Sequence, residues 1–253
     1  MKPVVVRNVS IGEGIPKVCA PIVGITKEEI ITEARNLLSL PVDVVEWRAD
    51  WFAQVTNAER VQEVLAELRS VLRERPLLFT FRTSGEGGKK SLKTEEYAAL
   101  NLAAAESGNV DLVDVEAFRE TEMVKEVIRK ARRFGVKTVA SNHEFEKTPP
   151  REEIIRRLCY MQELGADIVK IAVMPQSKKD VLTLLAATEE MVREYAVCPV
   201  ITMSMAGEGV ISRLCGEVFG SALTFGAAGK GSAPGQMEVS ALHTMLELLH
   251  KNL

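Results

Sequence analysis

Only four cysteines occur in the 253 residues, at positions 19, 159, 198 and 215, and no two form a CxxC pair. Each stands beside apolar neighbours, which fits reduced, buried thiols in a reducing cytoplasm rather than a disulfide framework. Long apolar runs are missing too. No window approaches the ~18 uninterrupted apolar residues of a membrane span. The opening stretch MKPVVVRNVS lacks the apolar segment and small-residue cleavage site of a secretory signal, so none is expected. Neither sign of charge dominates: 32 basic against 35 acidic residues leave a net charge of −3. That gives no general electrostatic reason to expect nucleic acid or an anionic membrane as partner. There is no HExxH, no Cys/His set at zinc spacing, no Walker loop and no GxGxxG after the first strand-like run. Neither a metal nor a nucleotide cofactor is therefore expected.

What is present is a regular alternation. Apolar runs of six to nine residues read as buried parallel strands: KVCAPIVG, VDVVEWRAD, PLLFTFR, VDLVDVE, VKTVASNH, DIVKIAV, PVITMSM and ALTFGA. Helical spacing fills the intervals 27–39, 57–74, 93–107, 120–135, 150–165, 177–196 and 208–218, with a last helix over 236–250. Thr26 and Glu29 have capping-box spacing, and Thr148 before two prolines reads as an N-cap. Gly135 and Gly165 stand where helix-terminating glycines belong. Eight such units without a Gly/Ser- or Pro-rich linker predict an α/β fold of the (β/α)8 TIM-barrel type, a single domain over 1–253. A doubly wound open sheet is the competitor. Residues 1–16 alternate and then turn on glycine, which predicts a hairpin closing the bottom of the barrel, with the barrel itself over 17–253.

Barrel strands alternate inward and outward, and barrel active sites lie at the strands' C-terminal ends. Period two places Val44, Glu46 and Arg48 on one face, with Val45 and Trp47 on the other. Thr80 and Arg82 share a face, as do Asp114 and Glu116, Val139, Ser141 and His143, and Ile168, Lys170 and Ala172. Every strand thus separates into an apolar face and one that ends in polar groups. Convergence of those groups in a barrel mouth explains the segregation better than an open sheet does.

Lys170, in the middle of the apolar run GADIVKIAVMP, has two readings. It is a snorkelling lysine with its amine in water, or a desolvated amine whose lowered pKa makes it a nucleophile for a carbonyl carbon. His143 ends the preceding strand on the same face and has an ordinary pKa near neutrality, as a general acid–base requires. His243 and His250 lie on the terminal helix, where surface or core roles are the default. Glu46, Arg48, Arg82, Glu86, Glu116 and Arg213 are singly candidates for structural ion pairs. Together they describe a pocket for a small, hydroxylated, anionic substrate. The glycines of FGAAGKGSAPGQ, 225–236, suit either a phosphate site or a mobile lid.

At this point EWRAD, FTFRTSGEGG, SNHEFEKTP, GADIVKIAVMP, ITMSMAGEGVISRLCGEVFGSALTFG and SAPGQ can be taken together. In that order they make the chain resemble, over essentially its whole length, the type I 3-dehydroquinate dehydratases of the shikimate pathway. The resemblance implies that Lys170 forms an imine with the ring ketone of 3-dehydroquinate. It implies that His143 takes the proton alpha to the imine and returns it to the departing hydroxyl, giving syn loss of water, with Glu86 orienting that histidine. Glu46, Arg48 and Arg82 would meet the ring hydroxyls. Arg213, Ser232 and Gln236 would hold the carboxylate and close the loop over it, Met203 and Met205 would wall the pocket, and Trp47 and Phe225 would join the binding set. Pro21 departs from members that have serine there. A cytoplasmic homodimer working on a small molecule is what the resemblance suggests. Two alternatives remain: a Schiff-base aldolase barrel acting on a sugar phosphate, and a catalytically silent binding domain, which the lysine–histidine–glutamate set disfavours.

Overall fold

Each of the eight apolar runs forms a strand. In the computed structural model, which describes residues 2–229 and 231–253, two short strands come first, β1 (Val4–Val6) and β2 (Val9–Ile11). The barrel strands follow as β3 (Lys17–Ile22), β4 (Val44–Arg48), β5 (Leu77–Thr80), β6 (Leu112–Glu116), β7 (Lys137–Glu144), β8 (Ile168–Val173), β9 (Val200–Ser204) and β10 (Leu223–Ala227). They pair in parallel in sequence order, and β10 returns to β3 through Leu223 opposite Lys17. The ring closes between β9 and β10, where Val200 bridges to Ser221 and the Ala222 amide donates to the Val200 carbonyl at 2.8 Å. This is the (β/α)8 TIM-barrel architecture.

Helices α1 (Lys27–Leu37), α2 (Ala58–Leu72), α3 (Thr94–Glu106), α4 (Thr121–Arg133), α5 (Arg151–Glu163) and α6 (Lys178–Glu190) alternate with the strands. Thr26 and Glu29 form the expected reciprocal cap on α1, a device contributing about 1 kcal/mol. Gly135 and Gly165 end α4 and α5 with φ of 77° and 88°, a conformation that costs a side-chain-bearing residue energy. Four expectations need correction. Thr148 does not cap α5: Pro150 holds the cap position, and the Thr148 hydroxyl donates to the Met174 carbonyl at 3.0 Å. The helix expected over 208–218 is two four-residue pieces, α7 (Ile211–Leu214) and α8 (Gly216–Phe219). The last helix, α9 (Val239–His250), starts later than expected, because Met237–Glu238 form a short strand, β11, beside β10. The N-terminal hairpin reverses at Arg7 and Asn8 with φ of 53° at Arg7, not at the glycines.

Two apolar layers follow from period two. Outward residues such as Trp47, Phe79, Val113, Val169 and Ile171 pack against Leu65, Leu68, Val124 and Leu158 of the helices. Inward, Cys19, Val44, Leu78, Leu112, Val139 and Ile168 form the barrel floor, and Val6 and Ile11 of the hairpin pack beneath it. Fully burying a side chain such as Ile11 stabilises by about 1.5–3 kcal/mol. Arg7 fastens the hairpin through Asp111 at 2.6 Å, the carboxylate that also accepts from Arg69 and the Leu77 amide. With the floor filled by hydrocarbon, the polar inward residues are left to the opposite end.

Candidate active site

One step up each strand from the floor, the inward positions become polar: Glu46, Thr80, Asp114, Ser141 and Lys170, then Arg48, Arg82, Glu116 and His143. Lys170 sits opposite Ser141 in the β7–β8 ladder, and His143 opposite Ala172. They open into one cavity at the mouth of the barrel, where charged and apolar side chains converge. Of the expected site residues, Glu46, Arg48, Arg82, Glu86, His143, Lys170, Met203, Met205, Phe225, Ser232 and Gln236 line it. Trp47 does not. Its ring points to the helices, edge-on to Phe79 with centroids 5.6 Å apart, because it is one residue out of phase with Glu46 and Arg48.

Lys170 is only 4% exposed. Its Nζ lies 3.8 Å from Asp114 Oδ2 and 4.3 Å from the centre of the Phe225 ring. Burial lowers its pKa, Asp114 and Glu46 oppose that fall, and Arg82 adds to it. Desolvation, more than neighbouring positive charge, is thus what weakens the proton on this amine. Asp114 is held the other way. Burial pushes its carboxyl up, but Arg82, Lys170 and the Ser141 hydroxyl outweigh that and keep it below the usual range.

His143 Nδ1 lies 2.9 Å from Glu86 Oε2, which also accepts from the His143 backbone amide at 3.0 Å. Asn142 reaches the other Glu86 oxygen at 3.4 Å and is itself held by Arg157 at 2.9 Å. Burial, then Arg82, Lys170 and Arg48, press the His143 pKa well below its ordinary value. Burial raises Glu86 to about 8 against the pull of Arg82. The imidazole is therefore neutral near neutral pH, with Nδ1 engaged by Glu86. With the Nδ1 proton held by Glu86, the free Nε2 is a base, and once it has taken a proton the imidazolium is an acid.

Arg82 is the electrostatic hub. It meets Asp114 at 2.7 Å, Ser141 at 3.0 Å, Glu116 at 3.2 Å and Glu86 at 3.5 Å. Glu116 is spent on Arg82 and on the Thr83 amide and hydroxyl, and does not line the cavity. Glu46 accepts from Thr80 at 2.9 Å. Arg213 is the opposite case: buried, with no carboxylate partner among the described residues and no partner for Nε. Its nearest acceptors are the carbonyls of Pro234 at 3.1 Å and Phe225 at 3.5 Å, and it lies behind the cavity lining. Burial lowers its pKa to about 10, so an anion beside it would be strongly favoured.

The glycine-rich stretch 225–236 includes Lys230, which lies outside the described residues. Its remainder crosses the mouth, with Ser232, Ala233 and Gln236 facing inward. The Ser232 amide donates to Gln236 Oε1 at 2.8 Å, and Pro234 accepts from Ala206 as well as from Arg213. No group of three or more His, Cys, Asp or Glu side chains among the described residues is placed to hold a metal ion.

Two residues lie outside the expected site: Phe145, which lines the cavity, and Asp114, whose inward parity is legible in the sequence but whose contact with Lys170 is not. Phe145 lies past the end of the alternating run. Its ring is so close to Gly87 that a Cβ there would come within 2.3 Å, at a backbone φ of 83°.

Comparison with known proteins identifies the family. Residues 18–253 match the family model for type I 3-dehydroquinase. A 3-dehydroquinate dehydratase from Clostridioides difficile (strain 630) is 55% identical, over 100% of this chain and 99% of its own length. One from Salmonella agona (strain SL483) is 53% identical, covering 99% of this chain and 100% of the relative. Among solved structures, the type I 3-dehydroquinate dehydratase from Clostridium difficile with covalently modified comenic acid superposes with a TM-score of 0.98 at 56% identity, covering 100% of both chains. The enzyme from Geobacillus kaustophilus HTA426 gives 0.96 at 41% identity, covering 99% of this chain and 97% of that one.

Proposed function

Because the chain belongs to the type I 3-dehydroquinase family, hydro-lyases that dehydrate 3-dehydroquinate, we propose that it acts through an imine on Lys170. Family membership favours dehydration over a sugar-phosphate aldolase, and the Lys170, His143 and Glu86 set argues against a silent binding domain. The observation that carries the reading is a buried amine with a weakened proton, in one cavity with a neutral His143–Glu86 pair.

In this reading the neutral Lys170 amine attacks the ring ketone, and the resulting carbinolamine loses water to give an iminium. A ketone acidifies its alpha proton too little for an imidazole, whereas an iminium accepts the electron pair that deprotonation leaves behind. His143 Nε2 removes that proton and forms an enamine. The imidazolium then delivers it to the neighbouring hydroxyl, the electron pair returns, and water departs on the same face. Hydrolysis of the conjugated iminium frees 3-dehydroshikimate and restores Lys170. Glu86 supports the imidazolium that forms midway. Glu46, Arg48 and Arg82 are placed for the ring hydroxyls. Arg213, lacking an anion, suits the carboxylate once Ser232 and Gln236 seat it. The Clostridium difficile relative is described with covalently modified comenic acid, which supports a reading through a covalent ligand bond.

We place the reaction at the third step of chorismate biosynthesis, in a cytoplasmic homodimer whose residues 1–253 act as one domain. No helix among the described residues is long and apolar enough to cross a membrane. The test is His143→Ala. It should still gain the substrate's mass as an imine, while the ultraviolet rise of the conjugated product slows by about 10²–10⁴-fold. Near-normal turnover by that variant would remove His143 from its role.

A further inference from the structure

Asp50 is absent from every role assigned above, yet it is fully buried beside the cavity. It lies in the single helical turn Ala49–Trp51 that follows β4, two residues beyond Arg48. Each of its oxygens accepts two hydrogen bonds. Oδ1 takes Arg48 Nε at 2.8 Å and the Arg82 amide at 3.3 Å. Oδ2 takes Arg48 Nη2 at 2.9 Å and the Lys89 amide at 3.0 Å. No acceptor capacity is left for a substrate.

We infer that Asp50 is a positioning residue that presents Arg48 to the substrate and locks it in register with the loop bearing Glu86. Two donors come from one edge of the Arg48 guanidinium, a fork-on-fork contact that fixes the plane of the group. The remaining nitrogen, Nη1, is turned to the cavity, 3.5 Å from the Ser232 carbonyl. The other two donors are main-chain amides at the two ends of segment 82–89, which carries Glu86 to His143. That segment is tightly folded: a Cβ on Gly88 would lie 1.8 Å from the Arg82 carbonyl oxygen. One carboxylate thus ties a binding group on β4 to a positioning group after β5. Asp50→Asn keeps the shape but turns one acceptor into a donor that faces two donors, so either the fork or the loop must move.

The inference rests on the proposed role of Arg48 in binding substrate, and a double-mutant cycle separates the two. Steady-state kinetics with 3-dehydroquinate are compared for the wild type, Arg48→Ala, Asp50→Asn and the double variant. Asp50→Asn should raise KM about 10–100-fold, the cost of ångström-scale misplacement of a binding group. It should also still yield a borohydride adduct on Lys170 at saturating substrate. In the double variant, KM should stay within about twofold of Arg48→Ala alone, which a merely structural loss would not produce. Should Asp50→Asn fail to fold, Asp50→Glu, which keeps the charge but displaces the fork, should show the same rise in KM. If Arg48→Ala leaves KM unchanged, the binding role of Arg48 falls and the inference with it. If Arg48→Ala raises KM but the Asp50 variant does not, or if the two effects multiply, the inference alone is overturned.

Discussion

Replacing Asp114 by asparagine changes almost no volume but removes the negative charge that lies between Arg82 and Lys170. Asp114 Oδ1 accepts from Arg82 and from Ser141, each at 2.7 Å, while Oδ2 has no hydrogen-bond partner and faces Lys170 at 3.8 Å. Breaking a buried ion pair costs about 3–5 kcal/mol, because the remaining charge is left uncompensated. Here Arg82 keeps Glu116 at 3.2 Å, which places the loss at the lower end, about 3 kcal/mol. At about 2–4 °C per kcal/mol for a chain of this length, Tm should fall by roughly 6–12 °C. A second effect runs through Lys170. Burial lowers its pKa and Asp114 opposes that fall, so the variant's amine should lose its proton at still lower pH. Borohydride trapping of the imine as a function of pH reads this directly, and its acid limb should move to lower pH. A Tm within about 2 °C of wild type, together with an unmoved or upward-shifted trapping limb, would refute the reasoning.

Ile11→Ala should cost about 2–5 kcal/mol in urea unfolding by opening a cavity under the barrel floor; a kcat/KM that also collapses would contradict the hairpin's purely structural placement. For Glu86→Gln the sign follows from Glu86 holding its proton more tightly when folded, at about 8, than in the unfolded chain, at about 4.3. The stability of the neutral carboxyl is present below the unfolded value and is lost as pH rises through the folded one. Since glutamine does not titrate, the Tm of the variant minus that of wild type should grow from pH ~5 to ~9, and a flat or falling difference would show that Glu86 is not so shifted. Trp47→Phe should lower stability by about 1–3 kcal/mol through a void among the helices, with KM unchanged; a raised KM would return Trp47 to the binding set.

The barrel and most of its site were legible because both depend on period two. Eight apolar runs with polar residues on one face suffice to place Glu46, Arg82, His143 and Lys170 inside one mouth. Reading failed where that period stops. Asp50 and Phe145 lie just beyond strand ends, where no repeat says which way a side chain points. The expected helix over 208–218 breaks because Ser212 bonds to the Ser204 amide and the Gly209 carbonyl. Close main-chain approach at Gly209 and Gly216 adds to this, and all of these contacts are invisible to helical spacing. Thr148 carries a capping residue's signature, but a carbonyl 26 residues away takes its hydroxyl. Trp47 belongs to the EWRAD motif, but its strand parity points it at the helices, and there it packs on Phe79.

The most direct test of the imine account is reduction with borohydride in the presence of 3-dehydroquinate, read by intact mass and then by peptide mapping. The account predicts one substrate-derived adduct per chain, on the peptide containing Lys170, and none on Lys170→Ala. An adduct on another residue, or full turnover by the wild type with no reducible adduct, would contradict it.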